Sequence, residues 1–245
     1  MRFLLSPKWV IGHVMILVLG ITFVALGFWQ LDRLEQRRLA NAVNSARLAA
    51  EPSPLSDLLE AAGEDIDTLE FRRTTATGVF VPEEEVLVRS QVLDGRAGFH
   101  VITPLRTNRE EVVLVNRGWV PLEFDNPPVA AAAPPAGETP VTGLVRLSRS
   151  RAASGRDDFA DGGAVVISRV DIAGLDPQIS GDLLPVYIEA QRESGPTELP
   201  VPVEPPDLSD EGPHLEYAFQ WFGFALIAVL GYGFLIRRAL RRRQP

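Results

Sequence analysis

The fold of this chain is decided by an uncharged apolar stretch near its start, Trp9 to Leu31, which reads WVIGHVMILVLGITFVALGFWQL. A second uncharged stretch, Tyr217 to Ile236, reads YAFQWFGFALIAVLGYGFLI. Each is long enough for a helix to cross the roughly 30 Å hydrocarbon core of a membrane at about 1.5 Å per residue. Because backbone polar groups inside a bilayer must be satisfied within the segment, both stretches are predicted to be transmembrane helices.

Basic residues flank both predicted spans. Neither tail contains an acidic residue, and the rest of the chain carries 17 of the 24 Lys and Arg with all 32 Asp and Glu. The positive-inside rule therefore predicts cytoplasmic tails and an extracytoplasmic middle segment. The tail cations are Arg2, Lys8, Arg237, Arg238, Arg241, Arg242 and Arg243. Three arginines directly after the first span favour the opposite orientation, but the five arginines behind the second span outweigh them. These three are Arg33, Arg37 and Arg38.

These boundaries divide the chain into five predicted parts. They are a cytoplasmic N-terminal tail (1–8), transmembrane helix 1 (9–31), an extracytoplasmic β-rich domain with Pro-rich loops (32–213), transmembrane helix 2 (214–236) and a basic cytoplasmic tail (237–245). Ala40-Asn41-Ala42 resembles a signal-peptide cleavage site, but the apolar run is too long for a signal core, which favours an uncleaved anchor.

The chain has no cysteine, which excludes disulfides and thiol chemistry. Its acidic charge gives no reason to expect nucleic-acid binding.

The segment between the spans begins as helix and continues as strands. Asp32 to Leu48 is predicted to extend the first helix up to the Pro-containing Glu51–Pro54, and Leu55 to Ala62 to form a short helix. Seven short β-type runs follow: Phe71–Val81, Val86–Gln91, Phe99–Leu105, Val112–Val120, Val141–Leu147, Ala164–Val170 and Pro185–Ala190. No helical period separates them, so a small antiparallel sheet or partly closed barrel is predicted.

Three segments are predicted to contain no catalytic or ligand-binding residues. Asp125 to Pro140 is Pro- and Ala-rich and is expected to be a mobile surface loop, and Pro196 to Pro213 an extended connector back to the membrane. Glu83-Glu84-Glu85 is interpreted as a solvated turn, the usual fate of a charge run. There is no Gly-rich phosphate loop, nucleophile elbow or zinc spacing, so the protein is expected not to be an enzyme.

The three histidines differ in their surroundings. His13 lies within the first span and is interpreted as a packing residue, and His100 lies on a predicted strand as a structural histidine. His214 opens the second span. It shares one helix face with two aromatic residues at i+3 and i+7, Tyr217 and Trp221. An aromatic belt at the membrane interface explains that row as well as a binding site does.

A second row at the end of the first span favours the binding site. Trp29, Arg33 and Arg37 repeat at i, i+4 and i+8, and two spans of opposite orientation place them at the depth of His214. An imidazole with flanking aromatics, an apolar wall and arginines at headgroup level suits a haem with a long apolar tail. The iron would bind to His214 and the propionates to arginine.

Three sequence blocks resemble the Surfeit-locus-one proteins, whose bacterial members are called Shy. They are Gly27-Phe28-Trp29-Gln30-Leu31-Asp32-Arg33, Val115-Asn116-Arg117-Gly118-Trp119-Val120-Pro121 and His214-Leu215-Glu216-Tyr217-Ala218-Phe219-Gln220-Trp221. The resemblance covers the whole chain, with the blocks in the expected order. It implies an assembly factor for haem-a-containing cytochrome c oxidase that binds haem a transiently at the outer membrane face, with His214 as iron ligand. The implied partners are the oxidase catalytic subunit and haem a synthase, in a bacterial cell membrane.

Within the second block, Arg117 and Trp119 have two interpretations. They could frame an anionic or planar ligand by charge and stacking, or Trp119 could fill the core at a sheet corner. Gly118 permits close backbone approach in either case. The alternative to a haem-binding assembly factor is a stable accessory subunit of the assembled oxidase or respiratory supercomplex that carries no haem. An enzyme acting on haem or copper insertion intermediates is a second rival, disfavoured by the missing thiols.

Overall fold

A computed structural model describes residues 5–149, 158–159, 163–191 and 199–242 of the chain. These residues form two compact units, one of residues 5–43 with 207–242 and one of residues 44–206. Arg2 and Arg243, which contribute to the predicted orientation, lie outside the described residues. So do residues 196–198 at the start of the predicted connector.

The first unit is built on two long helices. Helix α1 spans Pro7–Ala49 and helix α4 spans His214–Arg241, with 43 and 28 residues respectively. Both are long and apolar enough to cross a membrane. The predicted continuation of the first helix is confirmed, since α1 ends at Ala49, ahead of Pro52, whose ring disfavours helix in the preceding residue. The basic stretch after the second apolar run continues α4 as far as Arg241.

The second unit is a β-barrel with two short helices. Its strands are β1 Ser53–Pro54, β2 Arg73–Phe80, β3 Val86–Leu93, β4 Arg96–Thr107, β5 Glu111–Pro121, β6 Glu138–Leu147, β7 Val166–Ile167 and β8 Asp182–Ala190. The helices are α2 Leu55–Ala62 and α3 Ile172–Leu175. The sheet order is β1-β2-β6-β8-β5-β4-β3-β7, and an additional β2–β4 pairing closes the five central strands on themselves. The predicted barrel is therefore confirmed.

The sheet is mixed, so of the two predicted alternatives the structure has the barrel and not the antiparallel sheet. Strand β8 pairs parallel to β5, and β1–β2 and β3–β7 are also parallel pairs. A parallel partner needs a long crossover connection, and residues 122–181, which include β6, connect β5 to β8. Strand β7 covers only two residues of the predicted Ala164–Val170, because the chain bends at residue 168.

The core lies on both sides of β5. Val113 and Val115 belong to one buried cluster and Val112 and Leu114 to another, and all four are fully buried. A strand covered on both faces loses the alternation of a half-exposed strand, which explains why 112–115 is a continuous apolar run in the sequence. The strand carrying Arg117 and Trp119 is therefore the most enclosed element of the barrel.

Candidate functional site

The two long helices run antiparallel, with polar contacts near both ends of the shared interface. Near one end Nδ1 of His214 lies 2.9 Å from Oε1 of Gln30. Near the other, the Tyr232 hydroxyl lies 2.6 Å from Nδ1 of His13. His13 is thus a packing residue of the helix pair, as expected.

The buried residues of each of the two helices are spaced seven apart. Gly27, Leu34 and Asn41 are the buried residues of α1, and Ala218 and Ala225 those of α4. A seven-residue repeat keeps one helix face against its partner, as in a coiled coil. A Cβ on Gly27 would lie 2.5 Å from the Phe222 ring, so the close approach of the helices requires glycine there.

His214 is the first residue of α4 and is half-buried. An amide oxygen only accepts hydrogen bonds, so with Oε1 of Gln30 facing the ring, the contact is a hydrogen bond when the ring proton is on Nδ1. The lone pair is then on Nε2. A Cβ added to Gly212, whose φ is 70°, would lie 3.5 Å from that Nε2. The ring edge that could bind a metal therefore faces a position without a side chain.

Aromatic rings line the helix pair below His214. Trp221 stacks on Phe23 with centroids 5.8 Å apart and meets Phe224 edge-on at the same distance. Tyr217, one helical turn from His214, is 46% exposed. The predicted row on α4 therefore combines a histidine packed against α1, an exposed tyrosine and a tryptophan in a three-ring cluster.

The predicted row on α1 places charge beside an exposed ring. The guanidinium of Arg33 lies 5.6 Å from the Trp29 ring centroid, within cation–π range, and Trp29 is 49% exposed. Arg33 also donates to Gln36 at 3.0 Å. Arg37, one turn further along, donates to the carbonyl of Asp210 at 3.4 Å.

The arginines after the first apolar stretch hold the chain that leads into α4. Arg38 donates two hydrogen bonds of 2.8 and 2.7 Å to the Glu211 carboxylate, and Asn41 donates to the Asp210 carbonyl at 3.0 Å. The hydrogen bond and charge of Glu211 raise the pKa of Arg38, and the hydrogen bond from Arg38 lowers the pKa of the Glu211 carboxyl. These contacts explain two of the three cations that oppose the predicted orientation, Arg37 and Arg38, because they hold the residues just before His214.

Arg117 and Trp119 lie inside the barrel unit. The Arg117 side chain is 8% exposed and 3.4 Å from Glu85, and it also donates to the Ala132 carbonyl. Trp119 is 3% exposed and occupies the space that a side chain at Gly98 would need. These positions match the interpretation of Trp119 as a core residue at a sheet corner.

The Glu85 contacts correct two predictions. The Glu85 carboxylate accepts hydrogen bonds from the Thr103 hydroxyl and the Val129 amide, both at 2.8 Å, and the Glu85 side chain is 1% exposed. Glu85 is therefore a buried network residue and not part of a solvated turn. Val129 and Ala132 are 3% and 1% exposed, so the loop from Asp125 to Pro140 is partly core rather than a surface loop.

His100 is a structural histidine, as expected. Its Nδ1 lies 3.3 Å from the Asn116 amide nitrogen on the neighbouring strand. Burial lowers the pKa of His100 to about 4. The ring is therefore neutral at physiological pH and does not act as a charged group in the barrel.

Comparison with known proteins places these features in a family. A model of the SURF1 family matches residues 17–226, which include Gln30, Arg117 and His214. The chain belongs to the SURF1 family. The resemblance carried by the three sequence blocks is confirmed.

SURF1 relatives match over nearly their full length. An uncharacterized SURF1-like protein of Mycobacterium tuberculosis is 29% identical over 249 residues, covering 100% of this chain and 89% of the relative. A SURF1-like protein of Monosiga brevicollis is 30% identical, covering 91% and 86%. A SURF1-like protein of Rickettsia felis is 28% identical, covering 88% and 94%.

Three residues of this SURF1 chain that contact the candidate site or the barrel core were not predicted from the sequence. Gln30 and Asn41 fit the interface on α1, and the seven-residue spacing of Gly27, Leu34 and Asn41 could have pointed to that face. Glu85 gave no such signal, because it ends a run of three acidic residues whose composition is that of a solvated turn.

Proposed function

We propose that this SURF1 protein is an assembly factor for haem-a-containing cytochrome c oxidase. It binds haem a at the outer membrane face, with His214 as the iron ligand, and presents it to the catalytic subunit. Membership of a family linked to cytochrome oxidase assembly supports the general role. The observation that carries the haem site is the position of His214, with Nδ1 engaged by Gln30 and Nε2 left as the lone-pair nitrogen.

The donor set of the described residues fits a haem better than a bare metal ion. No group of three or more His, Cys, Asp or Glu among these residues could hold a metal. A haem supplies four ring nitrogens of its own and requires only an axial ligand from the protein. One histidine at the start of a helix is therefore sufficient.

Other residues of the same two helices have the chemistry that the remaining parts of a haem would need. The exposed rings of Tyr217 and Trp29 offer flat apolar surface, and the apolar helix faces suit a long hydrocarbon tail. Arg33 lies over Trp29, where its guanidinium could bind a propionate. Arg117 and Trp119 are buried in the barrel unit and contribute to its packing, and their role as haem-binding residues stays a prediction.

The proposed placement has both long helices across a bacterial cell membrane. The basic end of α4 would lie in the cytoplasm with the N-terminal tail, and the barrel unit outside. His214 then lies at the outer face. The hydrogen bond from the imidazole to the Gln30 oxygen joins the two helices at that level.

The protein acts as a carrier rather than a catalyst in this proposal. Coordination by one histidine is weaker than coordination by two strong axial ligands, so the cofactor can be released. Haem a synthase is the expected donor and the oxidase catalytic subunit the expected acceptor. Loss of the protein from the mature oxidase is the corresponding expectation.

The test is an optical spectrum of the full-length protein purified from haem-a-producing cells. Wild type is expected to show a haem a band, and His214→Ala to lose it. His13→Ala is the matched control, because it removes the other histidine of the same helix pair and should keep the band. Equal haem in wild type and His214→Ala would refute the site. No haem in either, with stoichiometric co-purification with mature oxidase, would favour the accessory-subunit alternative.

A further inference from the structure

The contact between Gln30 and His214 joins residues 184 positions apart in the chain. Both side chains are half-buried, and Gln30 lies three residues from Gly27, where the Phe222 ring of α4 occupies the space that a Cβ would need. Their contact, 2.9 Å between Oε1 of Gln30 and Nδ1 of His214, connects the two helices at this level. The interface therefore determines the orientation of the imidazole.

The chain leading into His214 restrains the ring from the other side. The Gly212 amide donates to the Asp210 side chain at 2.8 Å, and the Asp210 carbonyl is held by Asn41 at 3.0 Å. Arg38 binds the Glu211 carboxylate through two hydrogen bonds. These contacts anchor the backbone immediately before α4, while Gln30 sets the rotation of the ring.

We propose that Gln30 is the positioning residue for His214. Its side-chain carbonyl accepts the Nδ1–H, which fixes the tautomer that keeps the Nε2 lone pair for a haem iron. This inference rests on the proposed haem-binding function. Metal-binding histidines commonly donate their second ring N–H to an oxygen acceptor, which orients the ring and tunes its basicity.

The choice of an amide over a carboxylate matters for a carrier. A carboxylate beside Nδ1 draws the proton toward itself and makes the imidazole a stronger donor to the metal. The neutral amide oxygen orients the ring without adding a negative charge. Gln30 therefore orients His214 without making it a strong iron ligand, which suits a haem that has to be released to a partner.

The first test reads the tautomer without any haem. Nitrogen-15 NMR of histidine-labelled protein in lipid bilayers distinguishes protonated from unprotonated ring nitrogens, and the chain has only three histidines to assign. In wild type, Nδ1 of His214 is expected to be protonated. Gln30→Leu should lose that preference, whereas Gln220→Leu, an exposed glutamine on α4, should not. A His214 protonated at Nε2 in wild type would overturn the proposal.

The second test uses the haem-loaded protein. Gln30→Leu is expected to release haem about tenfold faster than wild type, the lower end of the effect of removing such partners. Gln30→Glu should retain haem and lower its midpoint potential. If both variants match wild type in release rate and potential, Gln30 has no positioning role, and His214 can still be the ligand. If His214→Ala also retains haem, the proposed function itself is wrong.

Folding is checked in the same samples. The His100 resonances report on the barrel, so an unchanged His100 spectrum in Gln30→Leu shows that the barrel remains folded. Gln30→Glu keeps an acceptor oxygen of nearly the same shape. It therefore still tests the proposal if the leucine variant does not assemble.

Discussion

Replacing Glu85 by glutamine removes the negative charge that faces Arg117 inside the barrel. The two side chains are 1% and 8% exposed, and their closest nitrogen and oxygen are 3.4 Å apart. At that distance and an effective dielectric constant of about 20, the attraction is about 5 kcal/mol before desolvation is counted. Breaking a buried ion pair from one side typically costs about 3–5 kcal/mol.

The expected loss of unfolding free energy for Glu85→Gln is about 3 kcal/mol, the lower end of that range. Glutamine keeps one oxygen that can accept from either the Thr103 hydroxyl or the Val129 amide, both of which bind to the carboxylate. Arg117 would retain its bond to the Ala132 carbonyl. The charge is lost, and one of the two acceptor positions becomes a donor.

The assay is urea unfolding of the full-length protein in detergent, followed by Trp119 fluorescence with Trp9, Trp29 and Trp221 replaced by phenylalanine. With a urea m-value of about 2 kcal/mol/M, the midpoint should fall by about 1.5 M. Glu83→Gln is the matched control, because Glu83 belongs to the same acidic run but is exposed. It should leave the midpoint unchanged.

Equal midpoints for Glu85→Gln and Glu83→Gln would refute the reasoning. A double-mutant cycle with Arg117→Met adds a second check, since a true pair gives a coupling energy and independent sites do not. The same Arg117 variant should bind haem at wild-type occupancy when kept below its unfolding midpoint. Loss of haem from the folded variant would restore the interpretation of Arg117 as a ligand residue.

Two further predictions concern the barrel. For His100, burial lowers the pKa to about 4, so the unfolded chain binds the proton first as pH falls below about 6.5. The free energy of unfolding is therefore highest above that pH and decreases by up to about 2 kcal/mol from pH 8 to pH 5. Urea unfolding at a series of pH values measures this decrease, and His100→Gln should make it smaller. Gly118→Ala should destabilise the barrel by more than about 2 kcal/mol, because φ is 129° and the new Cβ would lie 2.2 Å from the Val201 oxygen. Unchanged thermal unfolding of that variant would show that the backbone can relax there.

Patterns local to the sequence determined most of the secondary structure. The two apolar stretches predicted long helices, because a helix satisfies the backbone groups of such a run within the segment, and the structure has long apolar helices there. The strands from Arg73 to Pro121 were found from β-branched and apolar runs between turns. The histidine at the start of α4 stood out because it begins an aromatic helix face. Each of these signals depends on residues within a few positions of one another.

The tertiary structure decided which polar groups are paired. Gln30 meets His214 across 184 residues, and Glu85 meets Arg117 across 32, so neither contact leaves a local pattern. The parallel pairing of β8 with β5 likewise joins residues as far apart in the chain as Val115 and Ile188. Whether a carboxylate is solvated or buried depends on what packs over it, and that is fixed only when distant segments come together. The sequence therefore located the helices and the histidine, and the packing determined which side chains hold them.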